Sequence, residues 1–193
     1  MTNILFLDLE TTGLDPVKND IIQLGVIYVQ VDNGAIHKKG EAEWLVQPSN
    51  QADWNHQALT MNLDILSRIM SSNNNAIEQQ DISGVLYNWL VQNGCRKSTD
   101  NRISLVLAGK NVMNFDYPFL KSLSNWSNYF KVLSRHLDPT SLYYSPFEDQ
   151  YLPDLKTCME KAGFEETDVK HTALSDARKV YNLFLHYWNS KLK

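Results

Sequence analysis

The chain has 193 residues, 43% of them apolar and 21% charged, which fits one folded domain with a sizeable core and excludes disorder across its length. Twenty-two acidic residues against 18 basic ones leave a formal charge of −4, which speaks against a protein that grips duplex phosphates with a broad basic surface. No run approaches the roughly 18 apolar residues of a membrane span, no basic leader precedes Asp8, and Cys95 and Cys158 lack metal-ligand spacing, so a reduced cytoplasmic protein is expected.

In chain order, residues 3 to 9 are apolar apart from Asn3 and Asp8, a pattern that predicts a strand buried on both faces. Period-two alternation puts Asp8 and Glu10 on one side of it, and Thr11-Thr12-Gly13 then turns the chain. Two carboxylates aimed alike at a strand end suit half of a hard-cation site, or an acidic turn after a core strand. Residues 21 to 31 read as a long strand rich in branched side chains. Asn33-Gly34 supplies a hairpin turn, and 35 to 46 returns with one wet face. The apolar spacing between 51 and 75 predicts a helix starting near Thr60, and 77 to 93 predicts a helix closed by Asn93-Gly94.

Ile103 to Gly109 reads as a second buried strand, parallel to the first through a helical crossover. A helix is expected over about 115 to 123, where Asn114 or Asp116 is placed to cap it. A last strand over 131 to 137 follows. Asp138-Pro139-Thr140 opens a short helical segment, and Leu152-Pro153-Asp154 starts a helix to about 161. The stripe Leu174, Ala177, Val180, Tyr181, Phe184, Leu185 and Trp188 marks a final amphipathic helix. Asp176 lies near its inner stripe, either as a buried carboxylate wanting a partner or as a salt-bridge residue. His171, just before it, fits a surface or capping histidine, or an imidazole working near neutral pH. Together these predict a three-layer α/β fold, a single domain over 1–193 with a mixed sheet of about five strands.

Asp8, Glu10, Asp116 and Asp176 are four carboxylates adjacent to buried structure, with His171 five residues before the last. The Asp-x-Glu-Thr-Thr-Gly opening, the Asn-x-x-x-Phe-Asp segment at Asn111 to Asp116, and the His-to-Asp spacing resemble the DnaQ-like 3′-to-5′ exonucleases of ribonuclease-H-like fold, in their DEDDh branch. Nearly the whole chain takes part in this resemblance. It implies that Asp8 bridges two Mg²⁺ ions (Mn²⁺ substituting), that Glu10 and Asp176 complete one shell and Asp116 the other, and that His171 is the general base. It also implies that the turn after Glu10 holds the terminal nucleotide. Amides near Thr11 and Thr12 would meet the 3′-hydroxyl, and Leu14 would wedge against the base. Asn111 would contact substrate or lock its loop, and Trp54, His56, Met61 and Asn62 would line the entry groove. The expected partner is a single-stranded 3′ end, and the resemblance admits a separate polymerase or replication protein and a homodimer. Lys110 and the five-residue interval from Asn111 to Asp116 depart from the commonest proofreading spacing, nearer to oligoribonuclease and the autonomous DNA exonucleases. Single-stranded DNA is the first expected substrate; RNA or short oligonucleotides are the alternative, with a non-catalytic polymerase-associated module as the competing class.

Overall fold

Strand β1 (Thr2–Thr11) forms where the sequence packs Ile4, Leu5, Phe6, Leu7 and Leu9, all 5% exposed or less. In this computed structural model, which describes residues 1–49, 53–71, 76–165 and 172–191, β1 is central. Strand β2 (Ile21–Asp32) lies antiparallel to it. Asn33 and Gly34 both take positive φ, 49° and 82°, the pair that a tight two-residue hairpin requires. They return the chain as β3 (Ala35–Gln47), whose mixed burial is that of a half-wet strand.

Helix α1 (His56–Met61) starts earlier than the predicted Thr60 because the Asn55 side chain accepts from the amides of Gln57 and Ala58. The run breaks at Asn62 and resumes as α2 (Leu63–Met70). The helix predicted over 77 to 93 is shorter than expected. Ile77 and Glu78 form β4 (Ile77–Glu78), parallel to the end of β3, and the Gln79 amide donates to the carbonyls of Ile21 and Gln47. After one 3₁₀ turn, α3 (Ile82–Gln92) runs to the predicted stop, with Gly94 at φ 82°.

Strand β5 (Ile103–Ala108) pairs parallel with β1, in the predicted place. Helix α4 (Asp116–Ser122) follows, then a short helix absent from the sequence reading, α5 (Trp126–Tyr129). The expected strand over 131 to 137 contracts to β6 (Phe130–Val132), with a single parallel bridge from Leu137 to Ala108. Helices α6 (Pro139–Tyr143) and α7 (Leu155–Lys161) begin at Asp138 and Asp154, each capping with its own carboxylate. The chain closes with α8 (Ala173–Lys191).

Sheet order is β4-β3-β2-β1-β5-β6. The sixth strand beyond the expected five is the two-residue β4 at the edge. One face carries Leu5, Leu7 and Leu9 against α3 and α4; the other carries Ile4 and Phe6 against Val180, Tyr181 and Phe184 of α8. This is the mixed three-layer arrangement that the alternating pattern predicted. Among the described residues, no helix is long and apolar enough to cross a membrane.

Candidate active site

The pleat of β1 that turns Ile4 and Phe6 toward α8 also turns Asp8 and Glu10 that way. Directly opposite them on β2 stand Gly25 and Gln23. The parallel ladder with β5 stops at the pair Phe6–Ala108, so β1 overhangs its neighbour. The Leu9 N–H lies beyond that ladder, and Asp116 Oδ1 accepts it at 3.0 Å. Asp116 is the first residue of α4 and 2% exposed. Its carboxylate thus reaches across to β1, whereas capping, the alternative reading for Asn114 or Asp116, would have kept it at its own helix. From the far side, the first turn of α8 brings in Asp176. One ligand oxygen from each of Asp8, Glu10 and Asp176 lies within 4.8 Å of the others.

Crowding Asp8, Glu10 and Asp116 out of water raises their proton affinities. Burial is the main cause at Asp8, which is raised well above the usual carboxylate range; the charges of Asp116, Asp176 and Glu10 add to it, while Lys110 opposes. Burial, then Asp176, pushes Glu10 to about 7, against a hydrogen bond from Asn62. Burial pushes Asp116 to about 7 as well, opposed by backbone N–H groups including that of Leu9. Lys179, one turn along α8, sits 2.7 Å from Asp176 Oδ1. Among the described residues, Lys110 and Lys179 do not balance the four carboxylates that they face. All-oxygen donors that repel in the absence of a cation fit a hard divalent ion.

The acids open into a cleft of about 780 Å³, walled on the other side by α7. Of the anticipated contact residues, Met61 and Asn111 line it. Met61 is 70% exposed. Asn111 adopts φ 54° and acts as a loop lock: its amide donates to Asp138 Oδ2 and its side-chain oxygen accepts from Asn114. Leu14, 78% exposed, packs in no core, and Trp54 is 37% exposed. Thr11 and Thr12 are buried. The Thr12 amide donates to Asp20 O and its hydroxyl to Asp53 O, while its carbonyl accepts from Asn55 N–H. Thr12 thus laces the turn to residues 53–55, and its N–H is not available to a nucleotide. His171 lies outside the described residues.

Sequence reading passes over the structural weight of Asn62, placing it only at the groove. The residue is 6% exposed, donates to Thr11 O at 3.3 Å and hydrogen-bonds Glu10. Its signal is a polar residue inside an apolar helical pattern, which is where the helix breaks. Lys179 and the α7 wall (Leu155, Met159) carry no signal beyond helical periodicity.

No family model matches the chain. An oligoribonuclease of Ruthia magnifica subsp. Calyptogena magnifica is 26% identical over 194 residues, spanning 97% of this chain and 95% of that protein. Among solved structures, the nuclease domain of 3′hExo, a DEDDh family member bound to rAMP, superposes with TM-score 0.67 at 14% identity, over 97% of this chain and 92% of that one. The zinc-bound complex of E. coli ExoI with single-stranded DNA gives TM-score 0.63 at 13% identity, over all of this chain and 42% of that one. The fold is therefore the one shared with these nuclease domains, and in this chain four acids from β1, α4 and α8 line one cleft.

Proposed function

We propose that this chain, built on the DnaQ-like exonuclease fold, is a divalent-metal-dependent 3′-to-5′ exonuclease that releases nucleoside 5′-monophosphates from single-stranded ends. The observation that carries this reading is the convergence of Asp8, Glu10 and Asp176 on one point, with Asp116 beside them on the Leu9 N–H. A non-catalytic module on this fold has no need of four carboxylates gathered in one cleft, three of them with proton affinities raised by burial.

Asp8, Glu10 and Asp176 would together hold Mg²⁺ here, with Asp116 as a further ligand, and Mn²⁺ would suit the same oxygens. When bound, such ions neutralise the attacking and leaving oxygens of a phosphodiester. The chain supplies the rest. Asp116 is held by Leu9, Glu10 by Asn62, and Asp176 by the start of α8, so these three acids are oriented before substrate arrives. His171, adjacent in sequence to Thr172, is assigned the proton of the attacking water. The new bond forms between that water oxygen and phosphorus, the P–O3′ bond breaks, and the departing 3′ oxygen is protonated from solvent. Leu14, standing clear of the core, is assigned to the terminal base, with Trp54 and Met61 beside the entry.

Short oligoribonucleotides are the preferred substrate reading, because the relative that matches this chain nearly end to end is named an oligoribonuclease. Single-stranded DNA is the second reading, supported by the likeness to the ExoI complex. A separate polymerase and a homodimer are compatible with either. The deciding experiment incubates the protein and Mg²⁺ with 5′-labelled RNA and DNA 15-mers and dinucleotides. A ladder shortening from the 3′ end supports the proposal, and faster loss of RNA dinucleotides than DNA supports the first substrate. No cleavage of any of the four refutes the exonuclease.

A further inference from the structure

We infer that Gln23 and Gly25 on β2 are positioning residues that set where Asp176 stands, and so set the affinity of the carboxylate site for a divalent cation. This rests on the acids being a metal site, and its test is separable from nuclease activity. Gln23 is fully buried, and its Oε1 accepts the N–H of Ala173, the first residue of α8, at 2.9 Å. Among the described residues its Nε2 has no hydrogen-bond partner. An orphaned buried donor is destabilising, and a leucine of similar size would avoid it. The oxygen's hold on the helix start accounts for an amide here.

Gly25 acts by having no side chain. A Cβ built on it would lie 2.1 Å from Leu174 N and 2.3 Å from Ala173 C, all backbone. The first turn of α8 thus rests directly on β2, at the residue that faces Asp8 across the ladder, and Gln23 faces Glu10 likewise. The two ligands on β1 and the two supports on β2 are the same two rungs of one sheet. The third ligand follows three residues after the backbone that they hold. Restoring ordinary contact around an added methyl would push that backbone by about 1 Å, against a ligand-distance tolerance of about 0.2 Å. A more distant tie, the ion pair of Arg178 with Glu41 on β3, is solvent-exposed and holds the second turn rather than the first.

The test measures Mn²⁺ binding by isothermal titration calorimetry on the full chain without nucleic acid, beside thermal melting in EDTA. Gln23→Leu and Gly25→Ala should each weaken Mn²⁺ binding at least tenfold. Gln23→Glu, which keeps an acceptor for the Ala173 N–H, should bind Mn²⁺ within threefold of the parent or tighter. Glu41→Gln, which loosens α8 elsewhere, should leave the affinity within twofold. Mn²⁺ affinity unchanged in Gln23→Leu overturns the inference, as does an equal loss in Glu41→Gln. Should Gly25→Ala fail to fold, the two Gln23 variants and Glu41→Gln decide alone. If the parent binds Mn²⁺ and responds as described yet cleaves no oligonucleotide, the exonuclease reading falls while the positioning role stands. If the parent binds no Mn²⁺, both fall.

Discussion

Glu10→Gln should stabilise the metal-free protein, and increasingly so as the pH rises. Glu10 goes from an ordinary value of 4.5 to about 7 on folding. Between those values the native chain binds more protons than the unfolded one, so stability falls with rising pH through that window. The full shift corresponds to about 3 kcal/mol, and screening at this half-buried carboxylate reduces it to about 2 kcal/mol. A neutral amide at this position carries no such cost. Urea unfolding in EDTA should therefore show the variant's advantage over the parent widening by about 2 kcal/mol between pH 5 and pH 8. Saturating Mg²⁺ should cancel or reverse the advantage, because a bound cation favours the ionised parent. A gap that stays constant with pH in EDTA would refute the electrostatic account. So would a gap unaffected by Mg²⁺.

Asp116→Asn keeps an acceptor for the Leu9 N–H but loses the charge; exonuclease activity should fall at least 100-fold while melting in EDTA at pH 8 is unchanged or higher, and retained activity would remove Asp116 from the metal site. Asn62→Leu strips a donor from Glu10 and from the Thr11 carbonyl, so it should cost about 1–2 kcal/mol in urea unfolding and raise the Mg²⁺ concentration for half-maximal activity severalfold. An unaltered Mg²⁺ requirement would confine Asn62 to packing. Leu14→Ala should leave stability within about 0.5 kcal/mol yet raise KM for short oligonucleotides; a loss of stability above that with KM unmoved would mean Leu14 serves the fold.

The strands were legible because their pattern is local and strong: β1, β2 and β5 announce themselves by apolar runs, and β3 by the Asn33-Gly34 turn that returns it along β2. What was not legible depends on partners far away in sequence. Asn62 interrupts a helix because it bonds Thr11, 51 positions earlier, and Ile77 becomes strand because the end of β3 presents an open edge. The carboxylates could be picked out by type and order, as could their grouping. Their supports could not. Asp116 reads as a ligand with helix capping as its alternative, but its hold on the overhanging Leu9 N–H, 107 residues away, leaves no local signal, and neither does the use that Ala173 makes of Gln23, 150 residues before it. Thr12 misled in the opposite direction, since its place beside Glu10 suggested a nucleotide contact and its amide serves the turn.

The overhang of β1 past β5 also orders events in time. The β1–β2–β3 hairpins pair residues close in sequence and have little loop entropy to overcome, so they can form as soon as they exist. At that stage the protein owns Asp8 and Glu10 and nothing to complete them. Pairing of β5 with β1 waits for residue 108, Asp116 for the helix beyond it, and Asp176 for α8 to land on Gln23 and Gly25. A chain growing from its N-terminus is therefore without its fourth acid until nearly all of the domain has been made. The proposed metal site is complete only when the first turn of α8 is in place.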